Sequence, residues 1–394
     1  MKEDCGLRIA DRGLTGESPA PGSSVLRRVA RNPLRTLFPI RDPQSAIRIF
    51  SSLLLTVYCS LFLHGCGGGG NQSALDPAGP QAGRIGGIWR LMLYTTAAVY
   101  VVVMIAVLAA AFRRRRGWRA EEPAEDAPDT VPDEGRERRM SHAVLAGVAA
   151  TTAILFVFLV SSYMTGRALH TEAASKDVLV VKVSGRQWWW QVQYDNPNPS
   201  WVVTTANEIH IPVGQTVQFK LSSNDVIHSF WVPNLHGKTD LIPGHETNTW
   251  LRADREGVYR GQCAEYCGHQ HAHMAFTVIA EPAEKFKAWY NAQLKSAPEP
   301  STPSQARGRE VFLSAPCVMC HKIQGTDAGG VVGPDLTHVA GRSHLAAGTL
   351  ENTRGHLAGW ISNPQEIKPG TRMPPNNLEP ADLQALLDYL QSLK

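Results

Sequence analysis

CAEYCGHQHAHM, residues 263–274, decides how the rest of the chain is read. It carries two thiols, Cys263 and Cys267, four residues apart, then an imidazole at His271 and a thioether at Met274. Upstream, DVIHSFWVP (225–233) places a further imidazole, His228, in an apolar strand-like run. A mononuclear blue-copper site uses one Cys, two His and a weak axial Met. Here the Cys is doubled while both His and the Met remain. Two thiolates bridging two copper ions would leave each metal its own His and one weak ligand. Zinc accepts two Cys and two His, but Met is a poor zinc ligand and Cys-x3-Cys is loose for a zinc knuckle. In an oxidising compartment the same spacing also permits a disulfide. The residue set favours binuclear copper. His269 and His273 fall outside the spacing and are expected at the surface.

The flanking sequence has period two. DVLVVKVSGRQWWWQVQY, NEIHIPVGQTVQFKLSS, TNTWLRADREGVYRGQC and MAFTVIAE alternate or run apolar, are rich in β-branched and aromatic residues, and are broken by Gly, Pro and Asn. Short strands at this spacing predict an all-β sandwich over residues 176–295. Side chains on a strand alternate faces, so Trp188, Trp189 and Trp190 cannot all point inward. Either Trp189 or the pair Trp188 and Trp190 does. Residues 281–296 have helical spacing, and SAPEPSTPS (296–304) then reads as a Pro-rich linker.

Beyond the linker lies CVMCH, residues 317–321. Cys-x2-Cys alone could be redox-active or half a zinc site. The immediate His321 makes it a covalent c-type haem motif, with Cys317 and Cys320 as thioethers and His321 on the iron. Residues 305–394 resemble small class I cytochromes c in ARGREVFLSAPCVMCH, GPDLTHVAGR and GTRMPPNNLEPADLQALLDYLQSLK. That resemblance implies an all-α domain with Met373, in the turn before the last helix, as the other axial ligand. Met319 is the nominal competitor, but it lies inside the attachment loop on the His321 side.

The N-terminal half reads as a membrane anchor. Hydrophobic residues are 43% of the 394 and charged residues 19%, with the apolar ones gathered in a few runs. A net charge of +4 is small for this length and does not argue for nucleic acid. Residues 1–45 lack periodicity, and 1–65 are read as a disordered leader plus lipoprotein signal. IRIFSSLLLTVYCSLFLHGC (47–66) resembles such a signal, with Cys66 as the lipidated residue. Its n-region is long, which points to a translation start downstream of Met1; an uncleaved anchor is the alternative. Residues 66–90, glycine-rich at first, read as a flexible periplasmic spacer. Apolar spans follow at 91–112 and 143–163, the first about 33 Å long at roughly 1.5 Å per residue, enough to cross a bilayer. The loop between them, 113–142, carries eight arginines and eight acids. Only the positive charges direct topology, so it is placed in the cytoplasm. Both ends then face outward, which predicts a multi-pass protein of a bacterial inner membrane.

Together with GRQWWWQVQY (185–194), HIPVGQTVQFKLSSNDVIHSFWVP (210–233) and KTDLIPG (238–244), the metal-binding stretch resembles subunit II of haem–copper cytochrome c oxidases over about residues 84–280. With the fused cytochrome, the domain order resembles the caa-type. The resemblance implies a cupredoxin barrel whose metal loop joins the last two strands. It implies a CuA centre in which one copper takes His228 and Met274, and the other His271 and the Glu265 carbonyl, with Cys263 and Cys267 bridging. It places the Glu265 side chain toward a magnesium ion shared with the catalytic subunit, and makes Trp188 the point of electron entry. The function implied is electron input: through haem c and CuA to catalytic subunit I, which works with other oxidase subunits to reduce oxygen and pump protons. Cytochrome c or a bc-type complex would be the donor. A CuA-containing nitric oxide reductase is the alternative complex. Many members carry an acid at the cytoplasmic start of the second helix; Glu134 and Glu137 lie near that place without matching it.

Overall fold

The computed structural model describes residues 70–117, 133–171 and 178–394, excluding the side chains of 114–117 and 170–171. The leader, Cys66 with its lipoprotein signal, and loop residues 118–132 lie outside the described residues.

Two helices, α1 (Pro80–Gly117) and α2 (Glu134–Thr171), come first. Both are long and apolar enough to cross a membrane. Val102, Ile105, Leu155, Phe156 and Leu159 are all exposed, so no described residue covers them, and an apolar girdle of this kind suits a membrane. Each helix outruns the apolar span expected at 91–112 or 143–163. Hydropathy sees only the apolar window, whereas backbone hydrogen bonding continues into polar flanks. Glu134 and Glu137 occupy the first turn of α2, where carboxylates suit the helix dipole.

The spacer expectation at 66–90 is corrected from residue 71 onward. Asn71 O accepts from Arg260 N (2.6 Å), Ala78 N donates to Asn234 O (2.7 Å), and Ala82 N donates to Leu235 O (3.1 Å). Ala78, Gln81 and Ala82 are buried. A Cβ on Gly79 would fall 2.2 Å from Arg252 O, so this glycine permits close approach rather than flexibility. Composition cannot tell those two uses of glycine apart. The end of α2 is also tied down, because Trp250 Nε1 donates to Leu169 O at 2.7 Å.

Ten strands build the expected sandwich: β1 (Leu179–Arg186), β2 (Trp189–Tyr194), β3 (Val203–Ala206), β4 (Glu208–Pro212), β5 (Val217–Ser223), β6 (His228–Trp231), β7 (Thr239–Leu241), β8 (Thr247–Leu251), β9 (Gly257–Cys263) and β10 (Ala275–Glu281). They form two five-stranded sheets ordered β3-β2-β1-β5-β8 and β4-β10-β9-β6-β7. Val183 lies opposite Val192 on one side and Leu221 on the other, so the alternating apolar set of each strand shares one face. Trp188 and Trp190 are the buried pair, at 8% and 0% exposure, and Trp189 faces outward. Trp190 sits edge-on to Phe276 at 5.1 Å, and Phe230 stacks on Phe276 at 4.6 Å. β9 and β10 are antiparallel neighbours, with Gln262 opposite Ala275, so residues 264–274 are the loop between them.

Helix α3 (Ala283–Gln293) closes the sandwich, with Trp289 edge-on to Tyr194 at 5.3 Å. The remainder is helical: α4 (Pro303–Ser314), α5 (Cys317–Cys320), a short β11–β12 ribbon (His344–Leu345, Leu350–Glu351), α6 (Arg354–Ser362), α7 (Pro364–Ile367) and α8 (Pro380–Ser392). Its core gathers Phe312, Ile323, Leu386, Tyr389 and Leu390. The connection at 296–304 lies against this second domain rather than swinging free. Ala297 N donates to Gln324 O (2.9 Å), and Glu299 pairs with Arg309 at 2.6 Å.

Helices α4 and α8 cross at Gly308, where a Cβ would stand 2.0 Å from Ala385 O. Backbone cannot yield as a flexible side chain does. Gly308→Val should therefore destabilise the second domain by about 2 kcal/mol or more, lowering its melting point by on the order of ten degrees. Calorimetry of the variant checks this, and an unchanged melting point would contradict the crossing.

Candidate metal and haem sites

The six copper donors expected from the sequence converge. Strand β6 opens with His228, which is fully buried, and pairs with β9, so Phe230 lies opposite Cys263. Cys263 Sγ lies 3.9 Å from His228 Nδ1, 3.8 Å from Cys267 Sγ and 3.2 Å from the Glu265 carbonyl oxygen. Cys267 Sγ lies 3.6 Å from His271 Nδ1 and 3.8 Å from Met274 Sδ. The result is a near-symmetric ring, with two central sulfurs each facing one imidazole nitrogen and each with one weak donor nearby. Among the described residues, His228, Cys263 and Cys267 form the one group of three potential metal ligands. His269 and His273 are exposed, as expected.

The chemistry of this donor set fits soft, thiophilic cations. Two buried thiols this close cannot ionise independently. The hydrogen bond from Cys267 holds the Cys263 thiol well below its ordinary range against the opposing effect of burial, aided by hydrogen bonds from His228 and the backbone at Glu265. The neighbouring thiolate and burial push Cys267 up. One proton therefore tends to stay between the sulfurs, which is where bridging cations would replace it. Burial opposes charge on His228, but its hydrogen bonds to Cys263 and Asp225 outweigh that and its pKa rises.

Asp225, which motif reading did not single out, fixes the orientation of His228. His228 Nε2 donates to Asp225 Oδ1 at 2.8 Å, which fixes the ring with Nδ1 turned toward the sulfurs. Gln187 N (2.7 Å) and Val226 N (2.8 Å) donate to the same carboxylate. Burial works against its charge, but these donors hold its pKa below the ordinary range. An acid three residues before a ligand His was the available signal. The Glu265 side chain is 44% exposed and lies 3.7 Å from Lys238 Nζ.

The second site lies in the helical domain. Cys317 and Cys320 are free thiols one helical turn apart on α5. His321 follows, and its Nδ1–H donates to Pro334 O at 2.7 Å, leaving the Nε2 lone pair available to a metal. Burial lowers its pKa, so the ring is neutral. Cys317, Cys320, His321 and Met373 all line one cavity. Met319 is 67% exposed. A Cβ on Gly333 would fall 2.7 Å from the His321 ring, so the chain passes close behind that imidazole. The cavity fits a haem with two carboxylates: Arg186 and Arg342 line it, and each has a buried Nε without a hydrogen-bond partner.

The two sites share a wall. Trp188 lines the haem cavity, and its Nε1 donates to Cys267 O at 2.9 Å. Gln187 Nε2 donates to the same carbonyl at 2.8 Å.

A membrane hairpin, a β-sandwich with a thiolate–imidazole–thioether cluster and a helical CxxCH domain define a membrane-bound redox subunit of the cupredoxin–cytochrome class. Residues 179–281 match the family of the cytochrome c oxidase subunit II periplasmic domain, and residues 305–394 match the cytochrome c family. A cytochrome c oxidase subunit 2 of Alkalihalophilus pseudofirmus is 36% identical over 352 residues, covering 87% of this chain and 97% of that protein. One from Bacillus sp. strain PS3 is 30% identical, covering 64% of this chain and 71% of the relative. The solved periplasmic domain of subunit II of cytochrome oxidase from Bradyrhizobium japonicum shares 29% identity, covering 30% of this chain and 95% of that one, at a TM-score of 0.28. The chain belongs to the cytochrome c oxidase subunit 2 family, in a form that carries a cytochrome c domain. Membership makes it a partner of the catalytic and other oxidase subunits, and its two domains imply CuA and haem c.

Asp225→Asn keeps the shape of the carboxylate and removes its charge. Copper affinity should fall about 10- to 100-fold, the usual cost of losing a group that orients a ligand His. Competition titration against a copper chelator measures it, and wild-type affinity would remove Asp225 from the site.

Proposed function

We propose that this chain is the electron-input subunit of a caa-type cytochrome c oxidase, with its two soluble domains on the outer side of a bacterial inner membrane. Haem c and binuclear copper supply one-electron redox chemistry, and the electrons go on to catalytic subunit I, where oxygen is reduced to water with proton pumping. The observation that carries the reading is the shared wall: Trp188 borders the cavity of Cys317, Cys320, His321 and Met373 and is hydrogen-bonded to the backbone of Cys267.

Each residue has a part. Cys317 and Cys320 would attach the haem, and His321, turned by Pro334 O, and Met373 would hold its iron. Gln365 Nε2 donates to Thr371 O (2.7 Å) and Met373 O (2.8 Å), which holds the loop presenting the thioether. Cys263 and Cys267 would hold two coppers between them, with His228 and Met274 serving one and His271 and the Glu265 carbonyl the other. Trp188 is the electron entry, its indole held by Cys267 O. The Glu265 carboxylate would be this chain's contribution to a magnesium ion at the subunit boundary, once Lys238 beside it swings away. The donor to the haem is a cytochrome c or a bc-type complex.

Removing a bridging sulfur should affect both metals at once. Cys263→Ser or Cys267→Ser should abolish the paramagnetic signal of an unpaired electron shared by two copper nuclei, whereas His271→Ala should perturb one ion and retain some signal. A single-nucleus hyperfine pattern from the intact, copper-loaded protein would sink the binuclear reading.

Met373→His should leave haem attached, because attachment depends on Cys317 and Cys320. Exchanging thioether for imidazole should lower the haem potential by on the order of tenths of a volt, within the roughly 0.8 V that axial ligands span. A redox titration reads it, and an unmoved potential would show that Met373 is not a ligand.

A further inference from the structure

Lys368, between α7 and Met373, is 1% exposed. Its Nζ donates to Trp188 O (2.8 Å), His273 O (2.7 Å) and Ala346 O (2.9 Å). An ammonium has three protons and no acceptor, so three carbonyls satisfy it completely. Burial presses its pKa down to about 7, and this full set of acceptors favours the charged form.

The acceptors come from both domains. Trp188 O and His273 O belong to the sandwich: one is the backbone of the shared-wall indole, and the other sits in the metal loop beside Met274. Ala346 O belongs to the cytochrome domain. Ala346 and Ala347 hold φ of 51° and 59°, a region that residues with a Cβ rarely adopt. The carbonyls so presented go to Lys368 and, from Ala347, to the Ala275 amide of β10 at 3.0 Å. Next to Lys368, Pro369 O accepts from Gln270 Nε2 of the metal loop at 2.8 Å. A Cβ on Gly370 would lie 3.5 Å from the Trp188 ring. The seam is therefore continuous from Lys368 to Gly370 on one side and from Trp188 to the metal loop on the other.

We propose that Lys368 is a positioning residue for electron transfer between the two domains, latching the cytochrome onto the Trp188 backbone and the metal loop in one docked pose. This rests on the haem and copper assignments made above. Stability alone gives no reason for a buried cation here, since well-packed apolar residues often serve as well or better. A three-point hydrogen-bond donor does specify one geometry, which packing alone leaves loose. The step it serves moves one electron, oxidising ferrous haem to ferric and reducing the copper pair by one electron, with no bond made or broken. Without the latch, docking becomes a separate equilibrium, and the observed rate falls with the docked fraction.

The test uses the complete oxidase with haem and copper in place. The haem is reduced by a fast photochemical pulse, and its reoxidation is followed together with copper reduction. In Lys368→Met both cofactors should assemble with wild-type haem and copper spectra, while the copper potential falls because a cation coupled to Cys267 is lost. The transfer rate should drop roughly tenfold or more and become dependent on solvent viscosity, because docking now gates it. An unchanged, viscosity-independent rate in a spectroscopically intact variant overturns the proposal. If Lys368→Met fails to assemble its cofactors, Lys368→Gln, which keeps two N–H donors, decides: intermediate slowing supports the latch and the wild-type rate overturns it. Absence of any haem-to-copper transfer in the wild type would overturn the functional reading itself, and the role of Lys368 with it.

Discussion

The structure depends on one constraint, the convergence of soft donors from two strand ends on a single buried point. His228 opens β6, Cys263 closes β9, and the other donors lie in the loop before β10. They meet only because β6, β9 and β10 are adjacent in one sheet. A one-residue slip of β6 against β9 would turn His228 to the opposite face. The backbone resists that slip around the loop. Cys263 N donates to Met274 O (2.9 Å), Ala264 N to Ser229 O (3.0 Å) and His271 N to Gly268 O (3.0 Å). Gln262 Nε2 adds bonds to His271 O and Ala272 O, both at 3.2 Å. The ring of sulfur and imidazole is thus held in place by neutral hydrogen bonds around the loop, which fix the positions of its donors.

The same loop is where the second domain takes hold. Its carbonyls face two ways: that of Cys267 binds the indole of Trp188, and that of His273 binds the Lys368 ammonium. Around this centre the seam is polar and specific. Ser343 N donates to Glu208 Oε1 at 2.7 Å, and Arg372 lies 3.8 Å from Asp225, the carboxylate that orients His228. Asp225 therefore connects a metal-facing imidazole with the loop that carries Met373. The Pro-rich connection, packed along the cytochrome, leaves little of the loose tether that its composition suggests.

The membrane half obeys a different solvent. Its helices need only be long and apolar; α2 is tied to the sandwich by a directed bond from Trp250 Nε1 to Leu169 O, and to α1 by one from Arg84 Nη1 to Ala168 O. The turn before α1 docks against Asn234 and Leu235, so the hairpin enters the sandwich at a defined place.

What the sequence alone determined is whatever is encoded within a dozen residues. The donors of CAEYCGHQHAHM, the attachment motif CVMCH, the alternation of the strands and the two apolar spans are local patterns, and each led to the element or cluster found. Local periodicity records what a segment buries, but not what it is buried against. The structure alone decided the inward pair Trp188 and Trp190, the docking of the glycine-rich turn, the role of Asp225 and the seam between domains. Lys368 and Trp188 stand 180 positions apart, and Trp188 and Cys267 stand 79 apart. No spacing rule reaches over such separations, because those contacts exist only once two folded surfaces have met. A lysine in a turn reads as a solvated charge until three carbonyls close around it.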